Sequence, residues 1–128
     1  TMFFMTWGRK NGDASNCDFW PPVCTYQGMD SLLNLRYRML ADSNDGVVAP
    51  VGAVWNHIRK NYPLIELYSA YESHPSAAGS YAAACCFYSV FFQDDPTLPK
   101  AVVSEVKIYS TRFSLMFYAS GLSTRTGY

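Results

Sequence analysis

Apolar side chains recur along the chain in two rhythms, with polar punctuation between them. Met2 to Trp7 is aromatic and apolar almost throughout and stops at Gly8, the pattern of a strand buried on both faces. Arg9 to Thr25 holds Asn11-Gly12-Asp13, Ser15-Asn16 and Pro21-Pro22, turn formers that predict a long surface loop. From Tyr26 to Asp42 the residues Met29, Leu32, Leu33, Tyr37 and Leu40 fall at helical spacing, with Asp30, Asn34, Arg36 and Arg38 mostly opposite them. That is an amphipathic helix. Ser43-Asn44-Asp45-Gly46 ends it, and Val47-Val48-Ala49 reads as a short apolar strand closed by Pro50. Val51, Val54, Trp55 and Ile58 mark a second helix that must stop before Pro63. Leu64 to Tyr71 connects it to a third, in which Pro75 suits the first turn because its missing N–H would be unpaired there anyway. The apolar run from Tyr81 carries that helix to about Phe92 and predicts that it is buried.

Strand, helix, strand, helix, loop, helix is the alternation of an α/β layer architecture with parallel strands. Two strands make a poor sheet, so either the tail adds strands or part of the sheet lies outside this sequence. Within Ala101 to Tyr118, Val103-Ser104-Glu105-Val106-Lys107-Ile108-Tyr109 and Phe113-Ser114-Leu115-Met116-Phe117 read as one or two further strands. Residues from Gly121 to Tyr128 carry too little apolar content to order themselves.

Composition narrows the function classes. Ten basic residues balance ten acidic ones, which supplies none of the basic field that a phosphate backbone requires, and nucleic acid is not an expected partner. The dozen or so residues from Tyr81 to Phe92 fall short of the roughly 20 that a membrane-spanning helix needs. Thr1-Met2-Phe3-Phe4-Met5 has no basic leader and no small-residue cleavage site, so it reads as a strand and not as a signal peptide. A chain that opens on Thr inside such a run is expected to be a fragment or a processed product.

Cys17 and Cys24 flank a six-residue loop containing Pro21-Pro22, which a disulfide would close in an exported protein, secreted or periplasmic. Cys85 and Cys86 lie in the apolar helix and read as small buried hydrophobes. Neither pair has metal-knuckle spacing and there are only two histidines, so no metal and no cofactor is expected.

The stretch Glu72-Ser73-His74-Pro75-Ser76 places one of those histidines just before the third helix. There it would face backbone N–H groups without partners, at the positive end of the helix dipole, a field that disfavours the imidazolium and suits a general base. Ala77, Ala78, Gly79, Ala82 and Ala83 would let the helix approach a sheet closely. The plainer alternative is a histidine that caps a helix or packs on a loop. His57, among Asn56, Arg59 and Lys60, reads as a solvated or edge residue.

The run Tyr71-Glu72-Ser73-His74-Pro75-Ser76-Ala77-Ala78-Gly79-Ser80-Tyr81, followed by Ala82-Ala83-Ala84-Cys85-Cys86-Phe87-Tyr88, resembles the last block of the SGNH (GDSL-type) hydrolases, and more closely their bacterial DUF4886-like branch. Met5-Thr6-Trp7-Gly8-Arg9-Lys10, Tyr26-Gln27-Gly28-Met29 and Val48-Ala49-Pro50-Val51-Gly52 fit the same branch in the same order. The resemblance covers residues 1–96 as the C-terminal part of such a domain and leaves 97–128 as a divergent tail. It implies an incomplete three-layer α/β/α, flavodoxin-like fold and serine-dependent hydrolysis of an ester, small-molecule or carbohydrate, in the intact protein. His74 would be the base that takes the serine proton.

The chain departs from that pattern twice. Tyr71 stands where a D-x-x-H block has its aspartate, and a phenol supplies no negative charge near neutral pH. Tyr71 and the adjacent Glu72 are therefore the two candidate histidine-orienting positions, and a serine–histidine dyad is the remaining option. No Gly-Asp-Ser or Gly-Asn-Ser nucleophile turn occurs in the sequence, so the chain is expected to be inactive alone. Two other readings stand beside this one. Ten tyrosines, eight phenylalanines and three tryptophans, several of them in Phe19-Trp20-Pro21-Pro22, suit a non-catalytic binding or interaction module. An incomplete domain with an exposed sheet edge would tend to self-associate.

Overall fold

A computed structural model describes residues 1–92 of the chain, and the expected tail strands lie outside the described residues. Five regular elements follow one another: β1 (Met2–Phe4), α1 (Tyr26–Ser43), β2 (Val47–Ala49), α2 (Val51–Asn61) and α3 (Ala77–Phe92), with a 3-10 turn at Pro21–Cys24 ahead of α1. The architecture is mixed α/β. The two strands are parallel, pairing Met2 with Val47, Phe3 with Val48 and Phe4 with Ala49. The Met5 amide extends the ladder by donating to Ala49 O at 3.0 Å, and the Gly52 amide donates to Met5 O at 3.0 Å. These bonds place the first turn of α2 against the segment that leaves β1.

α1 starts where Thr25, in extended conformation, accepts from the Gly28 amide at 3.1 Å, and stops where Asn44 Nδ2 donates to Leu40 O at 2.7 Å. The last turn of α2 carries Arg59 and Lys60, cations suited to the negative end of a helix dipole. The buried core of the described residues gathers Met5 and Ala49 from the sheet layer, Val51, Val54, Trp55 and Ile58 from α2, Leu67 and Tyr68 from the connecting segment, and Ala82, Cys85 and Cys86 from α3. Burial pushes the Cys86 thiol up to about 12.

Three local expectations are corrected. β1 is only half buried, with Phe4 exposed, and it is three residues long because beyond Met5 the chain leaves the ladder, Trp7 stacking on Trp55 of α2 and Lys10 bonding to Glu72 before α3. Asp30 lies on the buried side of α1, while Leu40 is exposed. α3 starts at Ala77, not at Pro75: Pro75 forms an antiparallel bridge with Tyr68, and Ser76 Oγ accepts from the Gly79 amide at 3.1 Å as the cap.

The chain divides into two compact units, Thr1–Phe87 and Tyr88–Tyr128. Of the second, only the last residues of α3 are described; within them the rings of Tyr88 and Phe92 lie 4.7 Å apart. No helix among the described residues is long and apolar enough to cross a membrane.

Candidate functional site

The segment from Leu67 to Ser76 doubles back on itself. Ser76 N–H donates to Leu67 O at 2.8 Å, Ser69 N–H to His74 O at 2.9 Å, and Glu72 N–H to Ser69 O at 3.0 Å. Closing so small a loop puts Glu72 at φ 56°, a left-handed conformation that costs a non-glycine residue about 1–2 kcal/mol. Contacts from the segment after β1 hold it there. Lys10 N–H donates to Glu72 O at 2.9 Å, and Asn11 Nδ2 donates to Glu72 Oε2 at 2.9 Å.

His74 follows two residues later with its ring exposed. Its backbone is fixed from three directions, because three consecutive carbonyls each accept from a different donor. Glu72 O takes the Lys10 amide, Ser73 O takes the Trp7 indole N–H at 3.0 Å, and His74 O takes the Ser69 amide. Two of the donors sit just past the carboxyl end of β1. The imidazole Nδ1 lies 3.4 Å from Ser73 Oγ and the ring meets that of Tyr71 edge-on, centroids 6.1 Å apart.

An aromatic stack supports the grip. Trp7 lies flat on Trp55, 4.0 Å between centroids and 9° between planes, and Trp55 meets Tyr68 edge-on at 4.9 Å. Tyr68 Oη donates to Gly8 O at 2.7 Å, and burial raises that phenol to about 12, so it remains a donor at any ordinary pH. Gly79 is required here: a Cβ would come within 2.6 Å of the Trp55 ring and overlap the Leu67 carbonyl.

Polar groups tie the same segment to the helices. Lys10 Nζ meets Glu66 Oε2 at 2.6 Å, and that hydrogen bond leads the causes that hold the Glu66 carboxyl below its ordinary value. Arg59 Nη2 donates to Lys10 O at 2.9 Å, while its guanidinium lies over the rings of Tyr26 at 3.9 Å and Tyr68 at 5.1 Å. Behind Arg59, Tyr26 Oη donates to Asp30 Oδ1 at 3.3 Å and Asn56 Nδ2 donates to Asp30 Oδ2. Burial raises the Asp30 carboxyl despite both bonds and the nearby Arg59, and burial likewise raises Tyr26.

The sequence-derived candidates thus fall on one loop. Tyr71 is 82% exposed with its ring edge-on to that of His74, whereas the Glu72 carboxylate is engaged by Asn11. Ser76, not His74, caps the helix, its Oγ accepting from the Gly79 amide. Trp7, Lys10, Asn11 and Ser69, which hold the loop, were not singled out for it. Trp7, Lys10 and Asn11 have partners distant in sequence, 66 residues for Trp7, while Ser69 bonds within its own loop; the one available signal is a polar-tipped tryptophan just after a strand. His57 is half buried on α2, its ring 6.3 Å from that of Tyr62.

Elsewhere, a Cys17–Cys24 disulfide closes the loop ahead of α1, with Phe19 at 89% and Trp20 at 51% exposure between the two cysteines. Among the described residues, no three His, Cys, Asp or Glu side chains gather as metal ligands. No protein-family model matches the chain, and no curated protein or solved structure does.

Proposed function

We propose that the chain carries the histidine end of a serine ester hydrolase of the SGNH type. In this reading the parallel pair belongs to a larger three-layer α/β/α sheet, and a small-molecule or carbohydrate ester binds beside the carboxyl ends of its strands, where open α/β sheets bind ligands. His74 takes the proton of a serine hydroxyl as its oxygen attacks the acyl carbon, then returns a proton to the departing alcohol. The serine and the donors that stabilise the oxyanion come from a segment outside this sequence, so the chain alone is expected not to hydrolyse esters.

One observation supports the reading above the others. His74 is exposed on a backbone whose three neighbouring carbonyls are all gripped, two of them by Trp7 and Lys10 from the segment that follows β1. A base has to reach a substrate and yet be held to a fraction of an ångström, which calls for this pairing of exposure and constraint. With the Glu72 carboxylate on Asn11, Glu72 would orient the ring only after a turn of the loop, and a serine–histidine dyad without a carboxylate is the alternative.

The test joins the chain to a segment bearing the nucleophile turn and measures hydrolysis of short acyl esters. His74→Ala is expected to lower the rate by a factor of about 10² to 10⁴; activity that survives it overturns the assignment.

The exposed Phe19 and Trp20 on the disulfide-closed loop favour a second reading, an aromatic binding module that stacks on sugar rings or a partner protein. Glycan binding lost in Trp20→Ala would support it, and binding that ignores the change would remove it.

A further inference from the structure

We infer that Trp7 is a positioning residue for His74, acting through the peptide unit that joins Ser73 to His74. The inference rests on the hydrolase reading of His74. Among the described residues, three donors reach the carbonyls of residues 72–74; two are backbone amides, and Trp7 supplies the side-chain bond. Its acceptor, Ser73 O, lies in the same rigid plane as the His74 nitrogen, so fixing that oxygen fixes the entry of the chain into His74. The Ser69 amide holds the next carbonyl, on the far side of the His74 Cα. A side chain between two fixed peptide planes has little freedom beyond its own χ angles.

The indole N–H is not needed for the aromatic stack itself. Trp55, the other face of the stack, is fully buried and its Nε1 has no hydrogen-bond partner among the described residues, so the packing there does not depend on an indole donor. The Trp7 donor is therefore separable from the Trp7 ring, and its specific use is the bond to Ser73.

The experiment uses the 128-residue chain labelled at its two histidines, with His57 on α2 as the internal control. Trp7→Phe keeps a ring in the stack and removes the donor. The His74 ring protons are expected to shift as the ring leaves the edge of Tyr71, and the Ser69 amide is expected to exchange about tenfold faster, the equivalent of one hydrogen bond. The His57 signals should stay in place. Replacing Trp7 with its benzothienyl isostere, which has no N–H, should reproduce these changes without loss of ring area. Unmoved His74 and Ser69 signals in the isosteric variant overturn the inference.

If the substituted chains fail to fold, the unsubstituted one decides the matter by a nuclear Overhauser contact between the Trp7 indole proton and the Ser73 α-proton. Its presence supports the positioning bond and its absence overturns it. Ester hydrolysis that survives His74→Ala counts against the hydrolase reading, whereas unmoved His74 signals count against Trp7 alone.

Discussion

Asp30 is 8% exposed and has a donor on each carboxylate oxygen, yet burial still raises its pKa above the usual 3.8. A carboxyl raised on folding binds its proton more tightly in the folded state. Its stabilising contribution is therefore complete below the unfolded pKa and is lost as pH rises through the folded value. Asp30→Asn removes that titration while keeping an oxygen for Asn56. Thermal melts between about pH 4 and pH 7 should show the variant losing less stability than the parent as pH rises; parallel curves would contradict a titrating buried carboxyl. Glu66, lowered mainly by its bond to Lys10, has the opposite sign. Its contribution is present above 4.5 and is lost as pH falls through the folded value. Both partners of that pair remain accessible to water, so the pair is worth about 0–1 kcal/mol and Asp30 should dominate the difference. None of this was legible in the sequence, because helical periodicity sorts residues by polarity and places an aspartate outside. The partners that let Asp30 go inside are Tyr26, four residues earlier, and Asn56 on another helix.

Helices were the most legible elements. The apolar spacing of α1 and α2, the Ser43–Gly46 stop and Pro63 bound them to within a residue or two. The start of α3 was misplaced because two signals compete there, a proline suited to a first turn and a serine suited to a cap, and tertiary context decides between them. Pro75 is drawn into the bridge with Tyr68, while Ser76 Oγ both accepts from Gly79 N–H and donates to Glu66 O at 2.7 Å. Ser76→Ala loses a cap and leaves a carbonyl without its donor. It should cost about 1–2 kcal/mol in urea unfolding, with Ser76→Thr recovering part of it; an unchanged midpoint would show that the cap is not formed. β1 was read too long for a related reason. An apolar run cannot show where a strand ends if its later residues pack on a helix instead of a neighbouring strand. His74 itself is legible as a candidate, whereas the Trp7 and Lys10 donors that hold its loop are not, since hydrogen bonds between residues some sixty positions apart leave no local pattern.

A two-stranded sheet is marginal by itself, and among the described residues β1 and β2 pair only with each other. The self-association proposed from the sequence would use such edges. Covalent bracing comes from elsewhere, the Cys17–Cys24 bond. A loop this short is worth about 2–3 kcal/mol in the unfolded-chain account. Reduction is expected to lower the unfolding free energy measured in urea by that amount while leaving the His74 loop intact, because the bonds that hold that loop do not involve residues 17–24; equal free energies with and without reductant would refute the bracing role. The register of β1 on β2 has a further consequence in time. Met2 and Val47 stand about 45 residues apart, and closing a flexible loop of that length costs roughly 3 kcal/mol before any ladder bond is gained. Turns of α1 and α2 can form on local contacts within microseconds, so the chain should acquire its helices first and join its strands last. Until that late step, Trp7 has no settled place, and the histidine it helps to hold is not yet poised for use.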